Sequence, residues 1–219
     1  MSEFLYQPVK PWFINQKFGE NLLCFRIGAS GKMEYLPKKT EDSCPVGYTS
    51  IYSQMKGHNG LDLRAIRWQP VYASQDGFVE EVSTEVERGL GVGVITNKKY
   101  FCIETGKEEH FKYRNWHFIS LNVHQGDKVR VGDLLGFADS TGYSSGDHLH
   151  FELKPVLKEG DKWFNILQNN GFFGAVNPEP YLYPQFAVAV RDIASLLLKI
   201  REQLALLAEL IADLLRRKN

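Results

Sequence analysis

The sequence predicts a mainly β protein of antiparallel strands with a long α-helix at its C-terminal end. Two textures carry this expectation. Between residues 57 and 153, short runs rich in Val, Ile, Phe and Tyr alternate with glycine turns, as in "PVYASQDGFVEEV", "GVGVITNKKYFCIET" and "HFKYRNWHFISL". From about Phe186 to Arg217 there is no Gly or Pro, and strong helix formers dominate. A composition of 43% hydrophobic and 24% charged residues is that of a globular chain rather than a disordered one.

The remaining segments frame these two. Residues 1–23 read as an irregular lead-in, because Pro8 and Pro11 break any helix. Residues 24–56 are polar and turn-rich and predict a long loop or a small hairpin insertion. Residues 154–185 form a connector containing Pro, Asn and an aromatic run. The expected division is thus a β-rich domain over 1–185 and an amphipathic helix over 186–219. In that helix Val190, Ile193, Leu197, Ile200, Leu204, Leu207, Ile211 and Leu214 alternate by three and four, a heptad seam. Leu196, Leu210 and Leu215 widen it, which favours self-association into a homo-oligomeric bundle. Docking on the chain's own β domain, or on a membrane surface through Arg191, Lys199, Arg201, Arg216 and Arg217, are the alternatives.

Charge and cysteine usage narrow the partners. With 26 basic and 26 acidic side chains and no basic stripe, nucleic acid is not an expected partner. No apolar run approaches the roughly 20 residues that span a bilayer. The first residues lack the ordered basic, apolar and small-residue pattern of a secretory signal. Action outside a cell would then imply phage-type release by lysis, association with a particle, another export route, or a trimmed leader. Cys24, Cys44 and Cys102 have no CxxC spacing, which argues against a thiolate zinc site. Cys24 and Cys44 could bridge in an oxidising compartment; buried free thiols are the alternative.

The chemistry concentrates in two short stretches. In "GDHLHFEL", His148 and His150 are two apart and share one face of a strand. In "KGHNGLDLRA", His58 and Asp62 are four apart and share a face of an extended segment, with Gly60 between them allowing close approach of another group. Each pair alone is a weak signal, and two hydrogen-bonded histidines or a surface pair would explain it. Together they offer imidazole and carboxylate without thiolate. That set suits catalytic zinc, which takes three protein ligands and keeps one position open.

The surrounding motifs carry a family resemblance. "GHNGLDLRA…QPVYASQDGFVEEV" and "NWHFISLNVHQGDKVRVGDLLGFADSTGYSSGDHLHFEL", with "INQKFGEN" before them, closely resemble the lysostaphin-type zinc metallopeptidases, which are peptidoglycan endopeptidases. The resemblance covers roughly residues 57–153 and implies a two-layer antiparallel β-sheet metallopeptidase domain. It implies one zinc per chain on His58, Asp62 and His150, with His148 and His117 as catalytic histidines and a peptidoglycan peptide as substrate. Asn115 and Phe118 stand where the family commonly has tyrosine and leucine. Tyr113, Trp116 and Tyr143 are candidate walls of a substrate groove, or ordinary sheet packing. His110 and His124 are expected on the surface or in turns. A silent wall-binding or activator module, or an assembly component of the same fold, is the alternative function.

Overall fold

The computed structural model describes residues 3–21, 23–31, 33–37, 44–52, 54–186, 197, 200, 201 and 204. The lead-in supplies β1 (Leu5–Gln7) and β2 (Ile14–Gln16), and the insertion supplies β3 (Leu23–Ile27), β4 (Met33–Pro37) and β5 (Thr49–Ser50). The core follows with β6 (Leu61–Arg64), β7 (Pro70–Tyr72), β8 (Gly77–Ser83), β9 (Leu90–Thr96) and β10 (Tyr100–Cys102). It continues with β11 (Lys107–Leu121), β12 (Lys128–Val129), β13 (Leu134–Ala138) and β14 (His148–Glu159). The last strands are β15 (Lys162–Asn165) and β16 (Leu182–Phe186).

An 11-stranded sheet runs in the order β12-β8-β9-β11-β14-β6-β2, with β7, β10, β13 and β15 branching from it. Its two long central strands obey the period of two. On β14, Leu149, Phe151 and Leu153 are fully buried in the core. His148, His150, Glu152 and Lys154 alternate with them and face the other way. On β11, Phe111 and Tyr113 join the core, and Lys112, Arg114 and Trp116 share the opposite face. One apolar cluster gathers these residues with Val79, Val92, Val71 and Leu135, and with Phe4, Leu5 and Tyr181 from the flanking segments.

The opposite face carries a ladder of charges. Lys112 Nζ lies 3.0 Å from Glu80 and 3.3 Å from Glu81, and Arg114 makes two bonds to Glu81 at 2.9 and 3.0 Å. Burial pushes the Glu81 pKa up, and Arg114 and Lys112 more than reverse this, leaving it lowered. A carboxylate depressed in the folded state contributes stability above its unfolded pKa of about 4.3, lost as pH falls through the folded value. The thermal midpoint is therefore expected to fall as pH drops below about 4.3, and Glu81→Gln to flatten that acid limb. An unchanged slope in the variant would place the titrating group elsewhere.

Several expectations need correction. The lead-in is not irregular: β1 pairs in parallel with β16, and β2 pairs with β6. Its prolines exclude helix but not edge strands, whose partners lie far away in sequence. The insertion holds a hairpin, β3 with β4, as one of the two expectations had it; β5 extends it to a three-stranded sheet in the order β4-β3-β5, tied by a Cys24–Cys44 disulfide with its Cα atoms 5.7 Å apart. β14 runs past the expected end of the core at residue 153, through Pro155. Pro155 O accepts from Ile166 N, on the side away from β11, so the missing N–H costs that ladder nothing.

The long C-terminal α-helix is also corrected. No α-helical element stands among the described residues; apart from strands they hold one 3-10 helix, Glu179–Tyr181. Phe186, the expected helix start, ends β16 opposite Gln7, with its ring 5.7 Å from that of Tyr72. Strand pairing and ring packing override local helix propensity there. Beyond it only Leu197, Ile200, Arg201 and Leu204 are described, as separate residues of helical backbone with exposed side chains that make up no element. The rest of the heptad seam lies outside the described residues. Nothing described supports a coiled coil or an oligomer built on it.

Candidate metal centre

β6 and β14 pair with His150 directly opposite Asp62, and His148 opposite Arg64. His58 stands three residues before β6, and the lead-in holds it by two backbone bonds. His58 N donates to Glu20 O at 2.9 Å, and Gly19 N donates to His58 O at 2.8 Å. Three side chains from these elements converge. His58 Nε2 lies 2.9 Å from His150 Nδ1 and 3.1 Å from Asp62 Oδ1, and His150 Nδ1 lies 2.9 Å from Asp62 Oδ1.

The triangle fits one face of a metal tetrahedron. Bonds of about 2.0–2.1 Å to zinc place donor atoms roughly 3.3 Å apart. The donor set, two imidazoles and a carboxylate, is the catalytic kind, and among the described residues it is the His, Cys, Asp and Glu group that could hold an ion. The other nitrogen of each ligand is also committed. His58 Nδ1 donates to Lys17 O at 3.2 Å, and His150 Nε2 lies 3.3 Å from Glu152 Oε1. Gly60 makes room for this packing, since a Cβ there would press on Phe151 O and sit 2.9 Å from His150 Cε1.

Electrostatics match the crowding. Burial alone would raise the Asp62 pKa; hydrogen bonds from His150 and His58 override it and hold the carboxyl well below the usual range. Burial lowers the His150 pKa, and bonding to Asp62 and Glu152 overturns that, raising it to about 9. A cation in the triangle would replace the proton that the carboxylate attracts.

Two more histidines border the triangle. His148 Nδ1 donates to Gly146 O at 2.7 Å, and its Nε2 lies 3.5 Å from Asp62 Oδ1. His117 Nδ1 donates to Thr141 O at 2.6 Å, and its ring centre is 4.6 Å from that of His148. Burial, more than any other cause, pushes His117 down to about 4, so it is neutral at pH 7. Strict alternation along β11 would send His117 into the core beside Tyr113 and Asn115. Instead its φ is 71°, and the ladder shifts register between Trp116 and Phe118. This bulge turns His117 to the site and returns Phe118 to the core.

The other expected residues divide. Tyr113 is fully buried with its hydroxyl donating to Gln75 O at 2.7 Å, which leaves it no surface to offer a substrate. Tyr143 is 91% exposed. Trp116 stands opposite His150, with the Arg114 guanidinium 4.1 Å from its ring centre. His110 Nδ1 is 2.9 Å from Thr96 O, and the His124 side chain is exposed. Sequence reasoning did not single out Tyr52 or Glu152. Tyr52, at the end of the insertion, has its ring 6.0 Å from His58 and its hydroxyl accepts from Gln16 Nε2. Burial, aided by Asp62, raises its pKa and keeps it protonated.

Trp116 rests on a bare backbone. A Cβ at Gly91 would collide with its indole ring. Gly91→Val is expected to destabilise the protein by about 1–3 kcal/mol, read as a lower denaturant midpoint. An unchanged midpoint would mean that the indole moves aside freely.

Comparison with known proteins decides the family. Residues 56–163 match peptidase family M23. The chain carries a peptidase M23 domain. A glycyl-glycine endopeptidase, ALE-1 of Staphylococcus capitis, is 30% identical over 128 residues, covering 57% of this chain and 29% of the relative. A peptidoglycan DD-endopeptidase, ShyA of Vibrio cholerae, is 32% identical over 103 residues, covering 47% of this chain and 21% of the relative. The chain thus spans under a third of the length of these curated relatives. The fold of the SpoIIQ–SpoIIIAH complex matches over 88% of this chain and 98% of that one, with 20% identity and a TM-score of 0.50. The M23 domain here is a β fold, and the relatives named are a glycyl-glycine endopeptidase and a peptidoglycan DD-endopeptidase.

Proposed function

We propose that this M23 domain is a zinc-dependent endopeptidase that hydrolyses peptide bonds of bacterial peptidoglycan at the cell wall. The observation that carries the reading is the convergence of His58 Nε2, Asp62 Oδ1 and His150 Nδ1 within 3.1 Å of one another. Zinc held there supplies Lewis acidity for the scissile carbonyl and makes a water a better nucleophile at neutral pH.

The chain's own groups do the rest. The carbonyls of Gly146 and Thr141 occupy Nδ1–H of His148 and His117, so in each neutral ring Nε2 keeps its lone pair. These two nitrogens orient the attacking water, accept its proton and return one to the leaving amine. Tyr52 adds a protonated phenol on the His58 side, suited to hydrogen-bond an oxyanion. A silent binding module would need none of these groups, and their joint presence supports the enzyme reading. The relatives named above are a glycyl-glycine endopeptidase and a peptidoglycan DD-endopeptidase, so walls with glycine bridges and walls with D-amino-acid linkages both belong in the test.

The test pairs metal content with clearing of purified walls. About one zinc per chain, clearing of at least one wall type, and its loss on chelation with recovery on zinc addition are expected. Full zinc without clearing on either wall type would favour the silent module. No zinc after reconstitution would overturn the ligand set.

A further inference from the structure

Glu152 is 5% exposed and belongs neither to the ligand triangle nor to the histidine pair. Both of its oxygens are tied. Oε1 lies 3.3 Å from His150 Nε2 and accepts from Asn59 Nδ2 at 2.7 Å. Oε2 accepts from Arg114 Nη1 at 2.6 Å and lies 3.0 Å from Lys154 Nζ. Arg114 is itself fixed by two bonds to Glu81 on β8. Asn59 is the neighbour of His58, so one carboxylate links the segment of the first ligand to the ring of the last.

We propose that Glu152 is a positioning residue for the metal centre. By accepting the proton of His150 Nε2 it fixes the tautomer in which Nδ1 presents its lone pair to the metal, and it sets the plane of that ring. The inference rests on the zinc reading above. Arg114 and Lys154 explain why a carboxylate is tolerated at this depth, but their bonds take only Oε2. The Oε1 contacts to His150 and Asn59 have no part in that compensation. A carboxylate behind a ligating imidazole fixes its orientation and raises its basicity, and removing it typically weakens metal binding 10- to 100-fold.

The experiment measures zinc dissociation constants by chelator competition, and unfolding midpoints of the metal-free protein, for the wild type, E152Q and E152M/K154M. The single variant keeps the shape and exchanges the charged acceptor for an amide. The double variant removes the acceptor together with the ammonium it faces, so the net charge is unchanged, and the Arg114 guanidinium keeps its two bonds to Glu81. Zinc binding is expected to weaken by about 10-fold in E152Q and up to about 100-fold in E152M/K154M. The metal-free midpoint of the double variant should stay near that of the wild type, which a purely structural role for Glu152 does not predict. Binding within about twofold of the wild type in a folded E152M/K154M would overturn the proposal while leaving the zinc reading intact. A wild-type protein that binds no zinc would remove both, so the two failures are distinguishable.

Discussion

Asp62→Ala is expected to strip the metal and reduce wall cleavage about a thousandfold, equivalent to roughly 4 kcal/mol of transition-state stabilisation. The size follows from its position. Asp62 Oδ1 lies 3.1 Å from His58 Nε2 and 2.9 Å from His150 Nδ1, at a shared corner of the triangle. It also gives the triangle its negative charge, and two neutral imidazoles alone hold a divalent ion far less well. Zinc content after dialysis and cleavage rate should fall together, while the fold remains. A variant that retains stoichiometric zinc would show that Asp62 is a neighbour of the site and not a ligand.

His148→Ala is expected to separate what Asp62→Ala joins. Its Nε2 lies 3.5 Å from Asp62 Oδ1, beyond the 2.9–3.1 Å edges of the triangle. Zinc should remain near one per chain while cleavage falls by about 10²–10⁴-fold, the usual worth of a positioned proton-transfer group. The loss should fall on kcat, because the group acts on the reacting water and leaving amine. Equal zinc loss in His148→Ala would move it into the ligand set and displace His150 or His58. Metal analysis and steady-state rates on the same preparations decide between the two.

His148 and His150 share a face by strand spacing, and that much was legible in the sequence. His58 lies before β6 and reaches Asp62 through its backbone bonds to Gly19 and Glu20, which spacing does not encode. Other features depend on contacts that spacing does not encode. His117 reaches the site only through a bulge with φ of 71°, and nothing in "NWHFIS" announces an extra residue there. Glu152 was visible in "HLHFEL" as the next residue on the histidine face, yet its partners sit on β11 and on the segment beside His58. Of the two readings of Tyr113, groove wall and ordinary sheet packing, its full burial favours the second, and alternation with Lys112 and Arg114 already marked it as a core residue. β1, β2 and β16 were missed because they are short edge strands stabilised by pairing and not by pattern. The apolar heptads after residue 186 suggested a helix from local propensity alone, and Phe186 was drawn into a strand by its neighbours.

The pairing of β2 with β6 bears on how the protein can be shortened. A fragment trimmed to the M23 match at 56–163 loses Ile14–Gln16 from the edge of the strand that carries Asp62, and loses Phe4, Leu5 and Tyr181 from the apolar cluster. It thereby uncovers a row of unpaired backbone donors and acceptors beside a greasy hollow, a template for sticking to other copies. Recombinant pieces cut at the family borders should precipitate or swap strands, whereas pieces spanning 3–186 should stay in solution.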